Sequence, residues 1–289
     1  MKDDFNYDEV TLMYTVGGHD VHYDNMRRSI DSVKRTGASP HFLILEFGTK
    51  LKSTEDTTVI NLPDAIDFNA GKKVGYLVWK HKYIAALEVK TKYGIYVDSD
   101  TAMVNNNIPL ICGSLKGEIG VTRHFWVPDI GHYQQRATTP ETLAEFLLLK
   151  EKLGLSDDTP FYAGGVFAFE NNEKNKKVFQ RVLQMYDDYY KGKDYVKSIT
   201  DELFFSAAIN ELCESAAIFG GALNHCSMGD DHMPMILYDN NLFGRNPFED
   251  KWQPITFLHC DVSRRDPSEC YEGRAKEIIR ECFGLDGNE

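Results

Sequence analysis

Across the first hundred residues, apolar runs alternate with stretches of helical spacing, and this limits the chain to few folds. Residues 10–16 read as a buried strand closed by Gly17-Gly18. From about residue 23 to 35, Met26, Ile30 and Val33 recur at helical spacing. Residues 41–46 and 57–62 form two more strands, the second ended by Pro63. Leu77, Trp79, Tyr83, Ala86 and Leu87 mark a helix over 76–89, and 94–97 is a fourth strand. The order β-α-β-β-α-β predicts an α/β chain with a mostly parallel sheet and helices packed on its faces. In such sheets ligands sit beyond the carboxyl ends of the strands. Thr15–Gly18 and Asp98–Asp100 would both lie there.

The fourth strand runs into Asp98-Ser99-Asp100, and an apolar run resumes at Thr101-Ala102-Met103-Val104. On a strand, residues i and i+2 share one face about 7 Å apart. Burying two like charges side by side carries a large desolvation cost. A divalent cation removes that cost. Carboxylate oxygens suit Mg²⁺ or Mn²⁺, which keep waters and take phosphate oxygens as further ligands. A solvated turn with two chance acids is the alternative for any D-x-D pair, and the apolar flanks on both sides favour the metal.

The second half is less regular. Residues 118–122 read as a strand that enters an aromatic loop at Arg123-His124-Phe125-Trp126. A helix over 140–153 has Thr139 as a cap, and 161–169 reads as a strand entered through Gly164-Gly165. Residues 174–190 are helical, and Thr200-Asp201-Glu202 opens another helix reaching about Leu212. Residues 220–235 form a Gly/His/Met-rich loop without a pattern. Residues 255–258 make a last strand ending in His259, expected in the same sheet, and 271–282 a final helix. With no repeat or linker, one domain is expected.

The balance of 32 basic to 44 acidic residues gives a net charge of −12, and no Lys/Arg-rich run stands out. Nucleic acid and anionic membrane are therefore poor partners. A phosphorylated small molecule is a suitable ligand if a metal carries positive charge locally. The first residues are polar and acidic, unlike a secretory signal, and no apolar run approaches the roughly 18 residues needed to cross a bilayer. Six cysteines without a C-x-x-C pair suggest free thiols in a reducing compartment, so a cytoplasmic protein is expected.

The alternating start followed by an apolar strand ending in D-x-D near residue 100 resembles the GT-A fold of nucleotide-sugar glycosyltransferases. That fold is a Rossmann-like mixed sheet, mostly parallel and flanked by helices, in a single domain. The resemblance is to retaining members, the glycogenin and bacterial galactosyltransferase group, and in places to the blood-group transferases. Residues 1–104 would be the nucleotide-binding half and 105–289 the half serving donor sugar and acceptor. Four stretches carry the likeness. Tyr14-Thr15-Val16-Gly17-Gly18, with Tyr23 following, resembles the strand end that holds uracil, Tyr23 being the aromatic that stacks on the base or else a packing residue. Lys82, within the cluster Lys80-His81-Lys82, stands where the family carries a basic residue near the donor phosphates or sugar. Asp98, Asp100 and His259 resemble the metal set, with Asp98 also reaching the ribose and Ser99 between them in the donor site. Gly164-Gly165 and then Asp201-Glu202 resemble the aromatic-Gly-Gly strand and acidic helix start that receive the donor sugar.

The resemblance implies a hexosyl- or pentosyltransferase that uses Mn²⁺ or Mg²⁺. It would move a sugar from a nucleotide-diphosphate donor, UDP-sugar favoured, to a glycan or other hydroxyl acceptor with retention. Asp201 and Glu202 would be the catalytic pair, accepting hydrogen bonds from donor hydroxyls and stabilising positive charge at the anomeric carbon. Acids in a first helical turn are also favoured by the helix dipole alone. After His259 the family's glycine- and lysine-containing loop is replaced by residues 260–267, where Arg264 or Arg265 would serve the diphosphate. His124 and Trp126 in the loop 123–133, with His132, are acceptor candidates, Trp126 stacking on a sugar or plugging the core. Haloacid dehalogenase-type phosphatases also place D-x-D after a strand, with Gly229-Asp230-Asp231 as a late acidic motif. They use the first strand and Thr or Val where Ala102 stands. Nucleotidyltransferases share the fold but carry a glycine-rich, arginine-containing turn that Thr15–Gly18 lacks. A non-catalytic sugar-nucleotide-binding protein is the remaining alternative.

Overall fold

The computed structural model describes residues 5–66, 75–124, 126–135, 139–191, 200–220, 223–228, 231–248, 251–259 and 267–285. Strand β1 (Val10–Gly17) leads through helix α1 (Asp20–Arg35) to β2 (His41–Phe47) and β3 (Thr57–Asn61). Helix α2 (Gly75–Glu88) then feeds β4 (Tyr93–Val97), followed by β5 (Thr101–Met103), α3 (Ile108–Leu115) and β6 (Ile119–Val121). Two helices, α4 (Ile130–Gln134) and α5 (Pro140–Lys152), precede β7 (Val166–Glu170). Next come α6 (Glu173–Tyr190), α7 (Asp201–Leu212) and β8 (Ala217–Ile218). Short strands β9 (His225–Met228), β10 (Asp231–His232), β11 (Met235–Tyr238), β12 (Asn241–Gly244), β13 (Gln253–Pro254) and β14 (Phe257–His259) precede α8 (Gly273–Phe283).

The central sheet has the order β3-β2-β1-β4-β7-β6-β8. Its first four strands are parallel, β7 runs antiparallel to both β4 and β6, and β6 and β8 are parallel. Alternation along the strands supplies two separate cores, as a sheet covered on both faces requires. Leu12, Tyr14, Phe42 and Ile44 join Met26 and Val33 of α1 and Ile111 and Leu115 of α3 on one face. Met13, Leu43 and Leu45 join Tyr83 of α2, Phe179 of α6 and Phe204 and Phe205 of α7 on the other. The ends of β1 and β4 therefore point the same way and set Thr15 beside the Asp pair.

Several expectations change. The Asp pair is not on a strand: β4 stops at Val97, and the Thr101 N–H donates to the Asp98 carbonyl at 3.2 Å, closing a turn. The apolar run after it, β5, enters a second sheet of order β10-β9-β14-β5. His259 lies in that second sheet and not the central one, because β14 pairs antiparallel with β5, Thr101 opposite His259. The Gly164-Gly165 segment is not yet strand either; β7 begins only at Val166. Both backbone groups of Gly164 are taken by side chains, as described below. The stretch 220–235 holds β9 and β10 and reaches β11, where a patternless loop was expected. Thr139 does cap α5, exchanging backbone and hydroxyl hydrogen bonds with Thr142. Cys112, Cys213 and Cys282 are free thiols. No helix among the described residues is long and apolar enough to cross a membrane.

Candidate active site

The β5–β14 pairing carries His259 to the Asp98–Asp100 turn, with its Nε2 at 3.0 Å from Asp100 Oδ1. Asp98, Asp100 and His259 each offer one ligand atom, and these atoms lie within 4.8 Å of one another. Two carboxylates and an imidazole are a suitable donor set for Mn²⁺ and also admit Mg²⁺. Burial pushes the Asp98 carboxyl above its ordinary range, partly offset by Lys82 and His259. Burial acts the same way on Asp100, but the imidazole beside it prevails and holds its carboxyl low. Burial alone would lower His259, yet Asp100 lifts it to about 9. A cation held here would have to displace that imidazole proton, so its affinity would rise with pH.

Facing these groups is a second acidic cluster, reached from α2 and α7. Of the three basic residues in one turn of α2, Lys80 pairs with Asp187 at the surface and His81 packs edge-on against Phe47. His81 and Lys82 are both buried, and Lys82 is the one that faces the acidic cluster. Its ammonium lies 3.1 Å from Asp201 Oδ2 and 3.8 Å from Asp98 Oδ1, and donates to the Gly164 carbonyl at 3.1 Å. Burial alone would lower its pKa, but Asp201, Asp98 and Glu202 together raise it above the ordinary value. Glu202 Oε1 accepts from the Gly164 N–H at 2.9 Å. Burial, then the Asp201 charge, pushes the Glu202 carboxyl up to about 7.

The glycine pair is therefore threaded between the two clusters. A Cβ on Gly164 would stand 3.1 Å from Glu202 Cγ and 3.3 Å from Asp201 Oδ2. On Gly165 it would stand 2.8 Å from the His259 ring and 3.1 Å from Asp98 Oδ2. The Asp98 N–H also donates to the Gly165 carbonyl at 2.8 Å. Gly165→Ala is accordingly expected to push His259 off Asp100 and weaken Mn²⁺ binding by about 10- to 100-fold. Isothermal titration with Mn²⁺ checks this, and an unchanged dissociation constant would refute it.

Two further groups, not anticipated from sequence, reach the carboxylates from below. The Tyr83 hydroxyl donates to Asp201 Oδ2 at 3.0 Å, and the Tyr96 hydroxyl to Asp98 Oδ1 at 2.8 Å. Tyr96 has one proton to give, so the Thr15 hydroxyl, 2.9 Å away, donates to Tyr96 in turn. Tyr96 was legible in principle, since it stands two residues before Asp98. Tyr83 carried no comparable signal.

The remaining expected residues lie at varying distance from this centre. Val16 is buried at the end of β1, and Ser99 is half-buried in the turn between the acids. Tyr23 is a core residue in this structure, 2% exposed, with its hydroxyl donating to Glu46 at 3.0 Å. The Lys50 ammonium covers its ring at 4.6 Å from the centroid, so no face is presented to a base. His124 is buried against Phe161, with ring centroids 5.6 Å apart. Trp126 is 41% exposed and so does not plug the core. Trp126, Val127, His132 and Gln135 line a cavity of about 310 Å³. This wall is tied to the acidic cluster, because the Thr200 N–H preceding Asp201 donates to Tyr133 of α4 at 3.0 Å. Residues 260–266, with Arg264 and Arg265, and Gly229-Asp230 lie outside the described residues.

The fold is GT-A. A solved galactosyltransferase, LgtC, bound to donor and acceptor sugar analogues, superposes with a TM-score of 0.56 at 12% identity, covering 96% of this chain and 97% of that one. An active-site mutant of LgtC aligns with the same TM-score, identity and coverage. The glycosyltransferase GlyE of Streptococcus pneumoniae TIGR4 aligns with a TM-score of 0.43 at 9% identity, over 72% of this chain and 44% of that one. No family model and no curated protein matches the sequence.

Proposed function

We propose that the chain is a metal-dependent, retaining glycosyltransferase that moves a hexosyl or pentosyl group from a nucleotide-diphosphate donor, UDP-sugar favoured, to a hydroxyl of a glycan or similar acceptor. The observation that carries this is the Gly164-Gly165 segment, held between the Asp98–Asp100–His259 set and the Asp201–Glu202 pair, with Lys82 linking the two through Asp98 and Asp201. Such a segment offers a sugar a close approach to backbone, with Asp98, Asp100 and His259 on its diphosphate side. These three residues would hold Mn²⁺ or Mg²⁺, which neutralises charge on the leaving diphosphate. In transfer, the bond from the anomeric carbon to the diphosphate oxygen breaks with its electron pair going to the diphosphate. The acceptor oxygen bonds to that carbon and its proton is released. Asp201 and Glu202 stabilise the positive charge that develops at the carbon and accept hydrogen bonds from the donor sugar. Lys82 holds Asp201 and the Gly164 carbonyl in place.

Thr15, Val16 and Ser99 would line the nucleotide, and Tyr23 would reach the base only once the Lys50 side chain moves aside. His124 and Trp126 belong to the acceptor side, with the exposed indole and the adjacent cavity as the receiving surface. The free thiols of Cys112, Cys213 and Cys282 support a cytoplasmic setting. Against a phosphatase stands the position of Asp98, after the fourth strand of a GT-A sheet, with Oδ1 already occupied by Tyr96.

A screen of nucleotide sugars by thermal shift, with Mn²⁺ and with chelator, tests class, base and metal together. A UDP-sugar at 100 times its dissociation constant stabilises the chain by about 2.7 kcal/mol, and this is expected only with metal. In Asp100→Asn the metal-dependent part is expected to vanish, Mn²⁺ affinity falling about 100-fold or more. Undiminished nucleotide affinity in that variant with Mn²⁺ present would refute the proposal. Donor binding without any hydrolysis or transfer would favour the non-catalytic alternative.

A further inference from the structure

Tyr83, Phe167 and Tyr96 form one buried stack beneath the site. Tyr83 and Phe167 are 5.9 Å apart at 11°, and Tyr96 and Phe167 5.2 Å apart at 18°. The rings come from three elements, α2, β7 and β4, and both tyrosines are at most 1% exposed. Each outer ring sends its hydroxyl to a different carboxylate, Tyr83 to Asp201 Oδ2 and Tyr96 to Asp98 Oδ1. The Lys82 ammonium lies over the Tyr96 ring, 5.3 Å from its centroid, and contacts the same two oxygens at 3.1 and 3.8 Å. Asp98 Oδ1 is thus committed to Tyr96 and Lys82, whereas Oδ2 lies on the His259 side, where both crowd the Gly165 Cβ position.

We infer that Tyr83 and Tyr96 are positioning residues with separate charges to hold: Tyr96 orients the metal-side carboxylate and Tyr83 the sugar-side one. The rigid member between them, Phe167, fixes the two orientations relative to each other. Tyr96 turns Asp98 so that Oδ2 is the oxygen offered to a cation. The Thr15 hydroxyl, donating to Tyr96, ties that orientation to the end of β1. Tyr83 shares Asp201 Oδ2 with Lys82 and fixes the turn of that carboxylate about its last side-chain bond, whereas the adjacent Glu202 accepts from the Gly164 N–H. This division rests on the glycosyltransferase reading of the site, but the hydrogen bonds that define it do not.

Phenylalanine at either position keeps the ring in the stack and removes only the hydroxyl. In Tyr96→Phe, Mn²⁺ titrated in the presence of UDP and followed by the paramagnetic resonance of the free ion is expected to bind about 10- to 100-fold more weakly. Its loss of turnover should be recovered by raising Mn²⁺. In Tyr83→Phe the Mn²⁺ constant is expected within twofold of wild type. Turnover should fall about 10-fold, as loss of a hydrogen bond to a charged group implies, with the donor KM unmoved and no rescue by Mn²⁺. Melting temperatures of both variants separate these effects from unfolding. If both variants shift metal affinity and turnover together, or if neither shifts either, the stack is only core packing and the inference falls. A wild-type chain that binds neither Mn²⁺ nor UDP overturns the underlying reading and this one with it. Wild-type binding with no difference in the variants overturns this one alone.

Discussion

Lys82→Met is expected to destabilise the fold by about 3–5 kcal/mol at pH 8, the usual cost of removing one partner from a buried charge cluster. Methionine matches the length of the lysine stem, so little volume is lost and the deficit reports charge. The ammonium contacts Asp201 and Asp98, and its pKa is raised by these and by Glu202. Without it three carboxylates share one water-poor site and the Gly164 carbonyl loses a donor. The sign with pH follows from the partners. Folding raises the lysine pKa, so on the alkaline side its stabilisation is lost only as pH passes the ordinary lysine range, and on the acid side it fades as its carboxylate partners are protonated. In the variant, Asp98 and Glu202, already high, rise further and are neutralised by mild acid. The difference from wild type should therefore shrink on going from pH 8 to pH 5. Guanidinium unfolding at both values measures it, and coincident midpoints at pH 8 would refute the charge-cluster account.

Lys82 also shows what the sequence made legible and what it did not. The strands of the first half were readable because 10–16 and 42–45 are near-continuous apolar runs, the pattern that burial of both faces of a sheet requires. Lys80, His81 and Lys82, in contrast, differ by about 100° in direction around one helix, and only packing selects the one that faces the site. The Asp pair was legible as an acidic cluster at a strand end but not as a turn, since i, i+2 spacing fits a strand and a turn equally well. His259 was found, but its sheet was not. A three-residue strand leaves no periodicity to read, and its partner β5 is more than 150 residues away in the chain. Tyr23 illustrates a different ambiguity. An aromatic residue near the start of a helix suits a stacking role or a core role, and in this structure the ring is buried, with its hydroxyl on the Glu46 carboxylate and Lys50 above its face. Glu46 itself, accepting from Tyr23, Asn61 and the N–H groups of Lys50 and Leu51, had no signature beyond lying in an apolar strand.

Glu202→Gln is expected to lower turnover by about 100- to 1000-fold while leaving donor KM within a few-fold. Glutamine keeps an oxygen for the Gly164 N–H, so the geometry survives and the charge does not. Equal losses in turnover and affinity would move Glu202 from stabilising developing charge to ground-state binding. The pH dependence supplies an independent check. With its carboxyl near 7, wild-type turnover should climb as pH rises through neutrality and the charged form appears, and the variant should lack that limb. Stability runs the other way. Folding raises this carboxyl from the ordinary 4.5 to about 7, so between those values the folded chain holds a proton that the unfolded chain has released. Wild-type stability then falls as pH rises through that window and the full penalty stands above it. Glutamine cannot ionise, so in metal-free, donor-free protein the variant should gain on wild type between pH 4 and pH 8, while being the poorer enzyme throughout. A variant that lost both activity and relative stability at pH 8 would place the Glu202 charge in the fold's support instead of at the reacting carbon.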